Sequence, residues 1–231
     1  MAQATASSAL LGERQRQRYG LLLVALFASL AVQGAVAPSP VQQVVVSALV
    51  GGTLLFAFWA AGVSSRLLAL AAALAAVAFA LSIVRAATGD IGDGATRAMN
   101  AFLVALGPPA IALGVVRNLR ASGEVRIESV MGVLSFYILL GMLFAFVYGA
   151  IDNLGGDPFF ASEASATVSN CLYYSFTTLA TVGYGDFTAR SDLGHTLSVT
   201  EALVGQIYLV TVVSLIVSNL GRRGRREPDL S

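Results

Sequence analysis

Residues Thr181-Val182-Gly183-Tyr184-Gly185, followed by Asp186, have the types and order that a backbone needs to strip water from a cation. In an extended run whose carbonyls all point to one side, successive oxygens replace the ion's hydration shell, and the Thr181 hydroxyl adds one more ligand. Turning alternate carbonyls the same way calls for left-handed backbone at intervals. Gly183 and Gly185 lack a Cβ and take it at little cost, while Val182 and Tyr184 point outward and brace the loop. The expected product is a stack of oxygen rings. One strand cannot surround an ion, so the chemistry requires an oligomer.

The longer stretch Thr177-Thr178-Leu179-Ala180-Thr181-Val182-Gly183-Tyr184-Gly185-Asp186 resembles the signature filter of the potassium channel family. Tyr173-Tyr174-Ser175-Phe176 resembles the aromatic end of that family's pore helix, and Gly205 sits where its inner helix carries a hinge glycine. The resemblance covers about residues 129 to 219 and is to prokaryotic members with a two-helix pore module. It implies a homotetramer in which Thr181, Val182, Gly183 and Tyr184 hold K+, with Gly185 closing the filter and no cofactor beyond the permeant ion. Asp186 resembles the family's aspartate that hydrogen-bonds behind the filter. Ala180 departs from the pattern, since many relatives carry threonine there.

The elements needed to position such a loop are legible around it. An apolar stretch precedes it at about Val130 to Ile151, and another follows from about His195 to Asn219. Between them Val168 to Leu179 is apolar but too short to span a hydrocarbon core, which takes ~20 helical residues. Non-helical backbone at membrane depth is tolerated only where protein buries it or where it lines a water-filled path. Further spans are expected at about Tyr19 to Ala37, Gln42 to Val63, Leu67 to Val84 and Ala98 to Val116. The fold class is thus an all-α membrane protein, six transmembrane helices plus a re-entrant pore helix and filter loop. Its parts are an N-terminal arm (1–18), a four-span peripheral domain (19–117), an amphipathic linker (118–128), a pore domain (129–219) and a basic tail (220–231).

Composition agrees: the 231 residues are 56% hydrophobic and 12% charged, with a mean hydropathy of +0.76. All basic residues are arginine, and no aromatic-interleaved basic stripe suggests nucleic acid. Cys171 is the sole cysteine, expected to fill space in the pore helix. Most arginines flank spans on one side, placing both termini in the cytoplasm. Asp152, Asp157, Glu163, Asp186 and Asp192 then face outward. The first 18 residues read as a disordered arm, and Ala35-Val36-Ala37 after the first span imitates a signal-cleavage site. The alanine-rich third span reads as a close-packing helix. Pro108-Pro109 should kink or break the fourth.

In the last helix Gly205 is read either as a gate hinge or as a close-packing contact against the pore helix. Gln206, Leu209 and Val213 share a face directed at the central cavity. Glu201, in an apolar run, is expected to pack against the pore helix and bond a hydroxyl such as Thr177, Thr178 or Tyr174, so that Glu201, Thr178, Tyr174 and Asp186 support the filter. His195 reads as a solvated interfacial residue.

Voltage sensing is not expected. Only Arg117 and Arg120 have sensor-like spacing, and each charge crossing the field contributes just ~2.3 kcal/mol per 100 mV. No regulatory ligand domain is expected after Asn219, and no enzyme motif appears. Arg222, Arg223, Arg225 and Arg226 are placed to meet anionic lipid. The reading is a passive potassium-selective channel. A potassium-translocating transporter subunit is the alternative, though relatives of that kind carry four degenerate filter loops in one chain. A non-conducting scaffold is a third reading.

Overall fold

The computed structural model describes residues 2–35, 39–88, 93–122, 127–154, 156–162 and 164–224. Seven helices follow in order: α1 (Ala2–Ala35), α2 (Pro40–Ala60), α3 (Ser65–Thr88), α4 (Asp93–Ser122), α5 (Ile127–Leu154), α6 (Val168–Leu179) and α7 (Asp192–Gly224). Among the described residues, windows of four helices are long and apolar enough to cross a membrane: Arg18–Ala35, Val41–Ala60, Ser65–Thr88 and Val130–Leu154. A shorter apolar helix runs over Ala98–Gly114. Leu21, Val24, Phe27, Leu67, Leu70 and Val77 stay exposed, as they would against hydrocarbon.

Local chemistry sets the helix ends. Ser39 caps α2 by accepting from the Gln42 amide at 3.0 Å, and Pro40 stands in the first turn, where no amide partner is needed. The same helix closes on Gly62 at φ +64°, with Gly62 N–H donating to Trp59 and Val63 N–H to Phe58, a Schellman ending that satisfies two terminal carbonyls. The alanine-rich third span does pack closely. Ala71, Ala75, Ala78 and Ser82 form its buried face, and a Cβ on Gly51 of α2 would come within 3.1 Å of Ala75 Cβ.

Several sequence expectations need correction. The N-terminal segment is not irregular: α1 begins at Ala2, and its alanine, leucine, glutamate, glutamine and arginine are strong helix formers. Pro108-Pro109 does not break α4, which is continuous across them. Gly107, just before the pair, offers no Cβ to collide with the proline ring and packs against Leu139 instead. Within the expected linker, residues 118–122 extend α4 and Ile127 already belongs to α5. Arg126, Glu163, Arg225 and Arg226 lie outside the described residues.

α5 is the central helix. It packs most extensively on α4, and also on α1, α6 and α7. One apolar core runs from Tyr19 and Leu22 of α1 through Leu103 and Ile111 of α4 to Met142 and Tyr148 of α5 and Tyr174 of α6. α6 has the bounds read from sequence, starts on a Thr167 cap that accepts from Asn170 N–H at 3.1 Å, and is twelve residues long.

Candidate functional site

The loop after α6 is fastened to the helix end it leaves. Thr181 N–H donates to Thr178 O at 2.9 Å, Val182 N–H to Thr177 O at 2.8 Å and Gly183 N–H to the same oxygen at 3.2 Å. A trans peptide holds its C=O antiparallel to the next N–H, and the described residues contain no cis bond. Three consecutive amides aimed into the helix therefore turn the carbonyls of Ala180, Thr181 and Val182 the opposite way, together. The backbone alternates to allow this. Positive φ occurs at Thr181 (55°), Gly183 (51°) and Gly185 (82°).

The two glycines were expected in this role; Thr181 was not. A β-branched residue pays about 1–2 kcal/mol in left-handed backbone, so its conformation has to be imposed by the hydrogen bonds around it. Residues 181–186 are exposed in the single chain. Tyr184 stacks on Tyr173 of α6, centroids 6.2 Å apart and 8° from parallel. The Asp186 carboxylate accepts from Phe187 N–H at 3.1 Å.

Behind the loop, side chains from three helices converge. Glu201 of α7 is fully buried, with Oε2 2.6 Å from the Tyr148 hydroxyl of α5 and Oε1 against Ser175 Oγ of α6. Ser175 Oγ also reaches Gly141 O of α5 at 2.7 Å. The partners named from sequence were therefore wrong, although the docking of Glu201 on the pore helix was right. Tyr174 turns away to Ser198 of α7 at 2.7 Å, while Thr177 Oγ1 bonds back to Tyr174 O at 3.0 Å. Tyr137 of α5 donates to Leu179 O at 3.2 Å. Tyr208 of α7 stacks on Phe136 and Tyr137 and donates to Val133 O at 2.5 Å.

Gly205 is buried where α7 crosses the end of α6. A Cβ there would collide with the Leu179 carbonyl oxygen and come within 2.8 Å of Leu179 Cδ1. The loops outside the site are also tied together: Phe160 pairs with Ala189 in an antiparallel bridge, and Asp152 Oδ1 accepts from Phe159 N–H at 2.8 Å. His195 Nε2 lies 2.8 Å from Ala189 O, so this residue anchors the segment after the filter as well as meeting solvent.

A family model described as ion channel matches residues 132–222. This stretch is similar to ion-channel domains. It contains most of α5, all of α6, the loop over 181–186 and nearly all of α7. Protein LctB of Geobacillus stearothermophilus is 29% identical over 125 residues, covering 49% of this chain and 92% of that protein, and LctB of Bacillus caldotenax gives the same values. The calcium-activated potassium channel slowpoke of Drosophila melanogaster is 26% identical over 103 residues, 45% of this chain and 8% of that protein. No solved structure gives a significant match. An all-helical chain with several apolar helices and this domain belongs among multi-pass transmembrane proteins of ion transport.

The site residues read from sequence fall into two groups. Thr181 to Asp186, Thr178, Tyr174, Glu201 and Gly205 all gather at the α6 end or along its back. Gln206 and Leu209 lie on exposed parts of α7, and the side chains of Val213, Arg222 and Arg223 are outside the described residues. Ser175, Tyr148 and Tyr137 were not singled out. A serine or tyrosine inside an apolar run is a common sight, and the polar group that gives each one meaning lies tens of residues away.

Proposed function

We propose that this chain forms a homotetrameric, potassium-selective channel that conducts K+ passively across the cell membrane. The observation that carries it is the common orientation of the Ala180, Thr181 and Val182 carbonyls, set by amides tied into the α6 end. Four such strands around an axis supply rings of oxygens from Thr181, Val182, Gly183 and Tyr184, in place of the water around K+. The carbonyl-rich end of each α6 adds partial negative charge beneath the filter. An exposed apolar stripe on α7, Val199, Leu203, Ile207 and Val210, supports burial against neighbouring subunits. The similarity to the calcium-activated potassium channel slowpoke points to the same ion.

In this reading six helices span the bilayer with both termini cytoplasmic, α1 to α4 pack peripherally, and Gln206, Leu209 and Val213 line the cavity. Arg222, Arg223, Arg225 and Arg226 meet anionic lipid. The test is flux in liposomes holding the purified chain and driven by a gradient alone. Potassium flux well above sodium flux is expected. Equal flux of both ions, or flux that requires a second coupled ion, overturns the proposal.

A further inference from the structure

The geometry points to Glu201 being held as a neutral carboxylic acid that donates its proton to Ser175, and so positions the pore helix between α5 and α7. Three oxygen–oxygen contacts meet here: Ser175 to Gly141 O at 2.7 Å, Ser175 to Glu201 Oε1, and Tyr148 to Glu201 Oε2 at 2.6 Å. Each needs one proton between its oxygens. The Gly141 carbonyl has none, and the two hydroxyls supply one each. Ser175 has a single proton, so it serves both acceptors only through a three-centre bond, weaker to each than a directed one, as the Thr53 hydroxyl does toward two carbonyls. With an ionised Glu201, a carboxylate buried away from water would rest on that divided proton and on the Tyr148 hydroxyl alone.

A proton on Glu201 removes that shortfall, and one placement suits all three contacts. On Oε2 it would compete with the Tyr148 proton and leave Ser175 still one short. On Oε1 it completes a directed chain: Glu201 Oε1–H to Ser175, Ser175 O–H to the Gly141 carbonyl, with Tyr148 O–H closing on Oε2. A second chain beside it has the same logic, since Ser198 lies 2.7 Å from Gly194 O and donates there, so Tyr174 donates to Ser198. Both chains end on a backbone carbonyl, which fixes their direction. No cation stands near to favour a charged form: among the described residues the groups facing Glu201 are Ser175, Tyr148 and Tyr137.

The proton assignment is independent of the conduction proposal, whereas its consequence for flux rests on that reading. Infrared difference spectra of the full chain in lipid, native against Glu201→Gln, test the first. A carbonyl stretch of a protonated acid is expected in the native protein only, and Tyr148→Phe should move it to higher frequency by removing the donor to that carbonyl. Carboxylate bands in its place, or a band indifferent to Tyr148→Phe, overturn the assignment. Flux tests the second. Glu201→Ala should lose most of the gradient-driven flux and Glu201→Gln, whose amide keeps a donor and an acceptor, should restore it. A glutamine variant as inactive as the alanine one overturns the positioning role. Absence of flux in the native chain would instead count against the conduction proposal and leave the spectra unaffected.

Discussion

Replacing Gly205 by alanine decides whether this glycine serves packing or bending. The added methyl would meet the Leu179 carbonyl oxygen, part of the α6 backbone that also accepts from Tyr137, so the obstacle cannot rotate aside as a side-chain tip would. Overpacking of this kind costs about 1–3 kcal/mol, and contact with backbone places it toward the upper end. Alanine returns about 1 kcal/mol through higher helix propensity. The balance is a net loss of about 2 kcal/mol per subunit. The assay is the thermal midpoint of the purified protein in one fixed detergent, read beside gradient-driven flux. A lower midpoint is expected, with α7 displaced from the filter and flux reduced. A midpoint equal to or above the native one, with altered channel opening, would refute the packing argument and restore the hinge.

Gly183→Ala meets no atom of its own chain within 4 Å, and its left-handed backbone costs alanine about 1–2 kcal/mol per subunit, seen as lost preference for potassium over sodium in the liposome assay. Tyr174→Phe removes the bond to Ser198, which keeps its Gly194 partner, and should lower stability by about 0.5–1.5 kcal/mol, measured as a small drop in thermal midpoint. Gly51→Val forces α2 from α3 at Ala75 and should cost about 1–3 kcal/mol by the same measurement, with the ion preference of the remaining flux unchanged.

The backbone of the loop over 181–186 was legible in part because glycine reports conformation: residues 183 and 185 announce where left-handed φ is needed, two apart. Thr181 carries no such signal. Its φ follows from three amides converging on the α6 end, a tertiary fact absent from its own side chain. The burial of Glu201 was legible from the apolar run around it, but its partners were not, since Ser175 is 26 positions away and Tyr148 is 53. The prolines leave α4 unbroken: Gly107 offers no Cβ to meet the first ring, and Leu139 fills the space beside it. Gly205 could be read two ways because flexibility and small size are the same property in sequence. Only the neighbour distinguishes them.

The loop over 181–186 takes its position from α6, because the amides of 181 to 183 end on Thr177 and Thr178. What holds α6 therefore holds the filter, and the holders are unequal. α1 touches the start of α6 through Ser169 and Gly34 O at 3.3 Å, a long and exposed bond of small worth. α5 and α7 grip it from both sides through buried groups, Tyr137, Gly141 and Tyr148 on one and Ser198, Glu201 and Gly205 on the other. α4, by contrast, packs on α5 along its length, with Gly107 directly against Leu139. Leu139 lies between Tyr137 and Gly141 in the same turn of helix. Among the described helices none of α2 to α4 packs on α6 or α7, so within one chain their influence on the loop over 181–186 passes through α5 or, from α2, through α1.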